Sequence, residues 1–123
     1  MTSVFVSNVK NKGRGVLSRR KIKKGEIIEI NEVLVLPRDQ YKHLEKIDLV
    51  NYCFDWGSGR VALAMGPISF LNHSYLPNAY YEPADKKTKI RIVAIKNIKK
   101  GEEITVNYGG DPQSNKELWF DVK

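Results

Sequence analysis

The chain has 123 residues, 41% of them hydrophobic and 28% charged, with a formal net charge of +7. A chain of this length is expected to form one domain over residues 1–123 with one modest core. The single Cys53 excludes an internal disulfide and any zinc site built from several cysteines, and no apolar run approaches the ~20 residues of a membrane span.

Met1-Thr2-Ser3-Val4-Phe5 has no basic region followed by an apolar one, so no signal peptide is expected. The reading is an intracellular protein with no membrane partner. Val4-Phe5-Val6 predicts a strand, and Asn11 to Gly15, rich in turn residues, predicts a loop. Glu26 to Leu36 is β-branched and apolar and predicts a strand that Pro37 ends. Arg38 to Lys46 predicts one short helix, with Tyr41, Leu44 and Ile47 at helical offsets. Tyr52-Cys53-Phe54 and Val61 to Met65 predict short strands around the turn Gly57-Ser58-Gly59. Ala79 to Glu82 and Lys89 to Ile95 predict a hairpin whose loop holds Pro83 to Lys87, and Ile104-Thr105-Val106 predicts the last strand. The fold class is mostly β.

Ile22-Lys23-Lys24-Gly25-Glu26-Ile27-Ile28 is echoed by Ile98-Lys99-Lys100-Gly101-Glu102-Glu103-Ile104. Both run from an apolar anchor through a basic turn closed by glycine into a strand. Two unrelated tight turns and one internal structural repeat both fit this echo. Much of the positive charge sits in Arg19 to Lys24 and Lys96 to Lys100. These runs have little aromatic interleaving and sit on turn signals, which favours solvated lysines over a patch for nucleic acid.

Three short motifs carry chemistry. Gly13-Arg14-Gly15 suits close backbone approach to a ligand, and equally an ordinary loop. Asn72-His73-Ser74 lies within Phe70-Leu71-Asn72-His73-Ser74-Tyr75-Leu76-Pro77-Asn78-Ala79. It fits the N-glycosylation pattern, which an intracellular chain makes irrelevant. His73 with only His43 and Cys53 elsewhere gives no zinc-ligand spacing, so no metal is expected. Gly101-Glu102-Glu103-Ile104-Thr105-Val106-Asn107-Tyr108-Gly109 alone reads as a turn and an edge strand ending in a tyrosine.

In this order and spacing, over roughly residues 3 to 120, the three motifs resemble the signature of a SET-domain protein-lysine methyltransferase, of the minimal viral and bacterial type. That resemblance implies small curved sheets of β-clip type, with a C-terminal pseudoknot bringing the last motif beside Asn72. The core would run over about 3–110, with an aromatic tail over 111–123. It implies S-adenosylmethionine as cofactor. Gly13, Arg14 and Gly15 would cradle its methionine end, the Asn72 side chain would meet its amino group, and the His73 backbone would lie near its adenine. It implies Tyr108 as the catalytic tyrosine, with Gly109 permitting the turn after it. Tyr52, Tyr81 and Val106 would line the lysine channel, Tyr52 with a catalytic part. Glu102 and Glu103 read as structural. No three-cysteine zinc cap follows Tyr108, so Trp119 or Phe120 would stack on the adenine and close the channel.

The partner implied is a protein or peptide carrying the target lysine, a histone among the candidates. Two other functions stay open: an inactive SET-like module binding a basic peptide, and a small basic β-domain binding nucleic acid. The oligomeric state is open, a homodimer included. A tyrosine-based site suits lysine methylation. Free lysine has a pKa near ~10.4, so at pH 7 its neutral form is under about 0.1%. An apolar channel disfavours the ammonium without any dedicated base.

Overall fold

The computed structural model describes residues 2–108. Nine strands, one α-helix and two 3₁₀ turns make up these residues. β1 (Val4–Val9) and β2 (Gly13–Ser18) form an antiparallel hairpin, and β2 continues antiparallel to β9 (Glu103–Val106). β9 pairs in parallel with the short β6 (Asn72–His73). This gives a four-stranded sheet in the order β1-β2-β9-β6. The last strand thus enters between two earlier ones, beside Asn72, as the resemblance implies.

The second sheet has the order β4-β5-β3-β8-β7. Its centre is β3 (Ile27–Leu36), flanked by β5 (Arg60–Ala64) and β8 (Lys89–Ala94). β4 (Cys53–Gly57) and β7 (Ala79–Ala84) are its edges. Helix α1 (Arg38–Leu44) follows Pro37, and 3₁₀ turns cover Asp48–Tyr52 and Pro67–Phe70. No helix among the described residues is long and apolar enough to cross a membrane.

The core lies between the sheets. Ile22, Ile68, Ile90, Ile92, Ile98 and Ile104 are at most 1% exposed. Burying one such side chain is worth ~1.5–3 kcal/mol, so these six anchor both sheets.

The internal echo is structural. Ile22 and Ile98 face each other in an antiparallel bridge, each N–H donating to the other's carbonyl at 2.9 and 2.8 Å. In one turn the Lys23 N–H donates to Glu26 Oε1 at 2.8 Å, and in the other the Lys99 N–H donates to Glu102 Oε1 at 2.9 Å. Gly25 and Gly101 take φ of +92° and +85°, where an L side chain is strained.

Four expectations need correction. Gly13-Arg14-Gly15 is not loop but the start of β2, because Gly15 pairs with Ser7 and Gly13 with Val9. Tyr52 ends a 3₁₀ turn rather than opening a strand. Pro83 and Ala84 belong to β7 rather than to the hairpin loop. β7 is an edge strand, where a missing N–H costs no ladder bond. Ile47 lies past the helix and is exposed.

Candidate active site

The site is built where β9 meets β6. Asn72 lies opposite Thr105 and His73 opposite Val106. Asn78 fastens the same strand from another side. Its amide donates to the Glu103 carbonyl at 2.8 Å, and its Oδ1 accepts the Thr105 N–H at 2.9 Å. A buried side chain thus stands in for a neighbouring strand along β9.

The Asn72 amide is held by two acceptors. Its Nδ2 donates to the Arg14 carbonyl at 3.0 Å and to Glu103 Oε2 at 2.7 Å. A carbonyl and a carboxylate only accept, so the NH₂ group must face them, and Oδ1 is left as an acceptor at the cavity wall. The other Glu103 oxygen takes the Lys12 ammonium at 2.9 Å, with both side chains 16% exposed. Gly15 makes this arrangement possible. A Cβ there would lie 2.7 Å from Glu103 Oε2 and 2.8 Å from Asn72 Nδ2.

Tyr108 is fixed at both ends. Its N–H donates to His73 Nδ1 at 2.9 Å, and its hydroxyl donates to the Leu71 carbonyl at 2.5 Å. Burial above all, then Glu103, Tyr52 and Tyr81, pushes its phenol up to about 12. The group is therefore a neutral hydroxyl across the physiological range, and its oxygen can still accept a hydrogen bond. Burial, followed by Asp55, likewise pushes Tyr81 up to about 12. Burial and then Lys12 hold His73 below the ordinary imidazole range, so it is a neutral acceptor for the Tyr108 N–H.

Two cavities meet at Tyr108. The first, about 560 Å³, is lined by Asn8, Lys12, Gly13, Arg14, Asn51, Tyr52, Ser69, Phe70, Leu71, Asn72 and Tyr108. Its apolar floor is braced: the Arg14 guanidinium lies 4.6 Å over the Phe70 ring, and Tyr52 meets that ring edge-on at 5.7 Å. The second, about 460 Å³, includes Tyr41, Val50, Phe54, Asp55, Val61, Tyr81 and Tyr108 in its wall. Tyr81 packs on Phe54 with ring centres 4.8 Å apart. Both volumes lie in the range of small-molecule sites, ~300–1,000 Å³. Asn51 and Tyr108 are common to both walls.

The structure therefore brings Gly13, Arg14, Asn72, Tyr52 and Tyr108 to one cavity and Tyr81 to the other side of Tyr108, so Tyr52 does not share a wall with Tyr81 as the resemblance implied. Gly15, His73 and Val106 line neither. Gly15 clears space behind Asn72, the His73 ring carries the Tyr108 backbone, and Val106 is fully buried in the core. Gly109, Trp119 and Phe120 lie outside the described residues. Sequence reasoning missed Lys12, Asn51 and Phe70, and it gave Glu103 no part in the site. Glu103 carries no local signal that separates it from its sequence neighbour Glu102, since its partners Asn72 and Lys12 are 31 and 91 positions away.

The first cavity fits an amino-acid-bearing cofactor. It offers an amide oxygen for an ammonium, a glycine at an open wall and an aromatic floor. Among the described residues no group of three His, Cys, Asp or Glu is placed to hold a metal ion.

Comparison with known proteins agrees with this geometry. The SET domain family profile matches residues 13–109. A Schizosaccharomyces pombe histone-lysine N-methyltransferase, specific for H3 lysine 37, is 30% identical over 117 residues, covering 94% of this chain and 76% of that protein. A Saccharomyces cerevisiae histone-lysine N-methyltransferase, specific for H3 lysine 36, is 35% identical over 122 residues, covering 88% of this chain but 16% of the yeast protein. A solved Plasmodium falciparum structure described as a putative histone methyltransferase superposes with a TM-score of 0.71 at 31% identity, over 90% of this chain and 96% of that one.

Proposed function

The chain belongs to the SET-domain family of protein-lysine N-methyltransferases, and from that premise we propose that it methylates a lysine side chain of a protein substrate, a histone in the first instance, using S-adenosylmethionine. The observation that carries this reading is the pair of cavities meeting at Tyr108. A transfer between two bulky partners needs each on its own side of one reacting centre, and one wall residue common to both sides can touch the reacting atoms.

When bound, S-adenosylmethionine supplies a methyl group on a positively charged sulfur. Asn72 Oδ1 would accept from its ammonium, and the backbone of Gly13 and Arg14 would lie along its amino-acid end. Phe70 and Tyr52 would give it an apolar floor. On the other side, Phe54, Val61 and Tyr81 would exclude water from the lysine stem. A lysine amine in such surroundings loses its proton more readily than in water.

Tyr108 is a neutral phenol that donates to the Leu71 carbonyl. Its oxygen therefore presents lone pairs, which would accept an N–H of the deprotonated amine and aim the nitrogen lone pair at the methyl carbon. It would act by orientation, not as a base. Aligned reactants can lower a barrier by roughly 7–11 kcal/mol. Tyr81, from the substrate side, would hold the amine from a second direction.

The test is incubation of the protein with methyl-labelled S-adenosylmethionine and a panel of purified histones, with modified residues mapped by mass spectrometry. The reading predicts label on lysine side chains of one histone. Label confined to other residue types, or binding of the cofactor with no transfer to any histone or to lysate protein, would overturn it.

A further inference from the structure

We propose that the paired basic turns form a second interface, which binds the phosphate backbone of a nucleic-acid duplex. The proposal does not rest on the methyl-transfer reading. The two basic runs are far apart in sequence, yet the Ile22–Ile98 bridge fuses them into one surface. Lys21, Lys23, Lys24, Lys96, Lys99 and Lys100 are all exposed there. None forms an ion pair among the described residues, whereas Lys12, Lys89, Arg20 and Arg91 each do. With Arg19 and Arg20 the surface carries eight cations. Subtracting the carboxylates Glu26 and Glu102 leaves +6, close to the +7 of the whole chain.

Among the described residues the two carboxylates form no ion pair with the lysines: Glu26 accepts from the Lys23 N–H and the Arg20 guanidinium, and Glu102 accepts from the Lys99 N–H. The backbone beneath is rigid. Gly25 N–H donates to the Ala94 carbonyl and Gly101 N–H to the Ser18 carbonyl, both at 2.8 Å, and Lys24 N–H donates to Asn97 Oδ1 at 2.9 Å. The lysines therefore project from a preformed scaffold.

The chemistry of the partner follows from what the surface lacks. Ile22 and Ile98, the apolar anchors of the two turns, are 1% exposed, and Ile27 is the one exposed apolar residue of the two repeats, so the surface offers no cluster of apolar anchors. A protein partner needs buried aromatic or aliphatic anchors to bind well. A phosphate backbone needs cations alone.

The test uses the full chain and a fluorescent duplex of about 20 base pairs, as DNA and as RNA, read by anisotropy from about 50 to 200 mM salt. Saturable binding that falls linearly in log affinity against log salt is expected. Replacing Lys23, Lys24, Lys99 and Lys100 by glutamine should weaken binding at least about tenfold and flatten the salt slope by about 0.9 for each phosphate no longer neutralised. Circular dichroism should be unchanged. A control with Lys10, Lys42, Lys86 and Lys87 replaced by glutamine removes the same charge elsewhere and should bind within about threefold of wild type. Absence of saturable binding at the lowest salt, equal weakening in the control variant, or equally tight binding of a polyglutamate peptide would each overturn the proposal. The DNA and RNA arms decide which duplex is preferred.

Discussion

The two ends of one short stretch, residues 98–108, are built on opposite principles. Its beginning is a turn in which backbone groups and one local glutamate satisfy each other, leaving the lysines in water. Its end is a site held together across the fold by buried and half-buried groups: Asn72 with Glu103, Glu103 with Lys12, and the His73 ring with the Tyr108 backbone N–H. Substitutions in the turn should therefore act on stability or surface charge, and substitutions at the site on chemistry.

The largest effect is expected at Tyr108. Tyr108→Phe removes the hydroxyl that would orient the amine and should lower methyl transfer by about 10²-fold or more, since small misplacements cost that much. Cofactor affinity should stay within a few-fold by calorimetry. Unchanged turnover would dissolve the distinction between the two ends.

Next is Asn72→Ala. Losing a hydrogen bond to a charged group costs ~1.5–3 kcal/mol, so S-adenosylmethionine should bind roughly tenfold to a hundredfold more weakly. Glu103→Gln sharpens this. Glutamine can turn its NH₂ toward Asn72, releasing the amide orientation, and it also discards the Lys12 ion pair. A loss of up to about fivefold in cofactor affinity is expected, since a pair of this kind is worth ~1 kcal/mol. Wild-type affinity in Glu103→Gln would mean that Asn72 orients itself.

The turns give a smaller effect of a different kind. A Cβ at Gly25 or Gly101 meets nothing within 4 Å, so only the positive φ is costly. Gly25→Ala and Gly101→Ala should each lose ~1–2 kcal/mol in denaturant unfolding, with turnover of the folded protein unchanged.

The pH dependence of stability reports on Tyr81, Tyr108 and His73. Tyr81 and Tyr108 are raised from 10.0 to about 12, so their contribution is complete below pH 10 and is lost as pH climbs toward 12. His73 is lowered from 6.5, so the unfolded chain gains its proton first, and stability falls as pH drops through and below that value. Tyr108→Phe should flatten the alkaline limb of a stability-versus-pH series and leave the acid limb in place.

The same contrast explains what was legible in the sequence. The strand at β3, the hairpin and both glycine turns depend on neighbours a few positions away, and local pattern disclosed them. β2 was missed because Gly13-Arg14-Gly15 has the composition of a loop, while its strand geometry comes from pairing with β1. The motif residues Asn72 and Tyr108 were found by resemblance. Their supports were not, because Lys12 and Glu103 are 91 positions apart and Leu71 and Tyr108 are 37 apart. Nothing in local pattern tells a solvated glutamate from one that clamps an asparagine.

The central claim is that Tyr108 stands between a cofactor side and a lysine side. The most direct test is a crystal structure of the protein with S-adenosylhomocysteine and a lysine-containing peptide. The account predicts the cofactor product against Asn72, Gly13 and Phe70, the lysine between Tyr81 and Phe54, and the Tyr108 hydroxyl within hydrogen-bonding distance of the amine. Both ligands on the same side of Tyr108, or a lysine bound without approaching that hydroxyl, would contradict it.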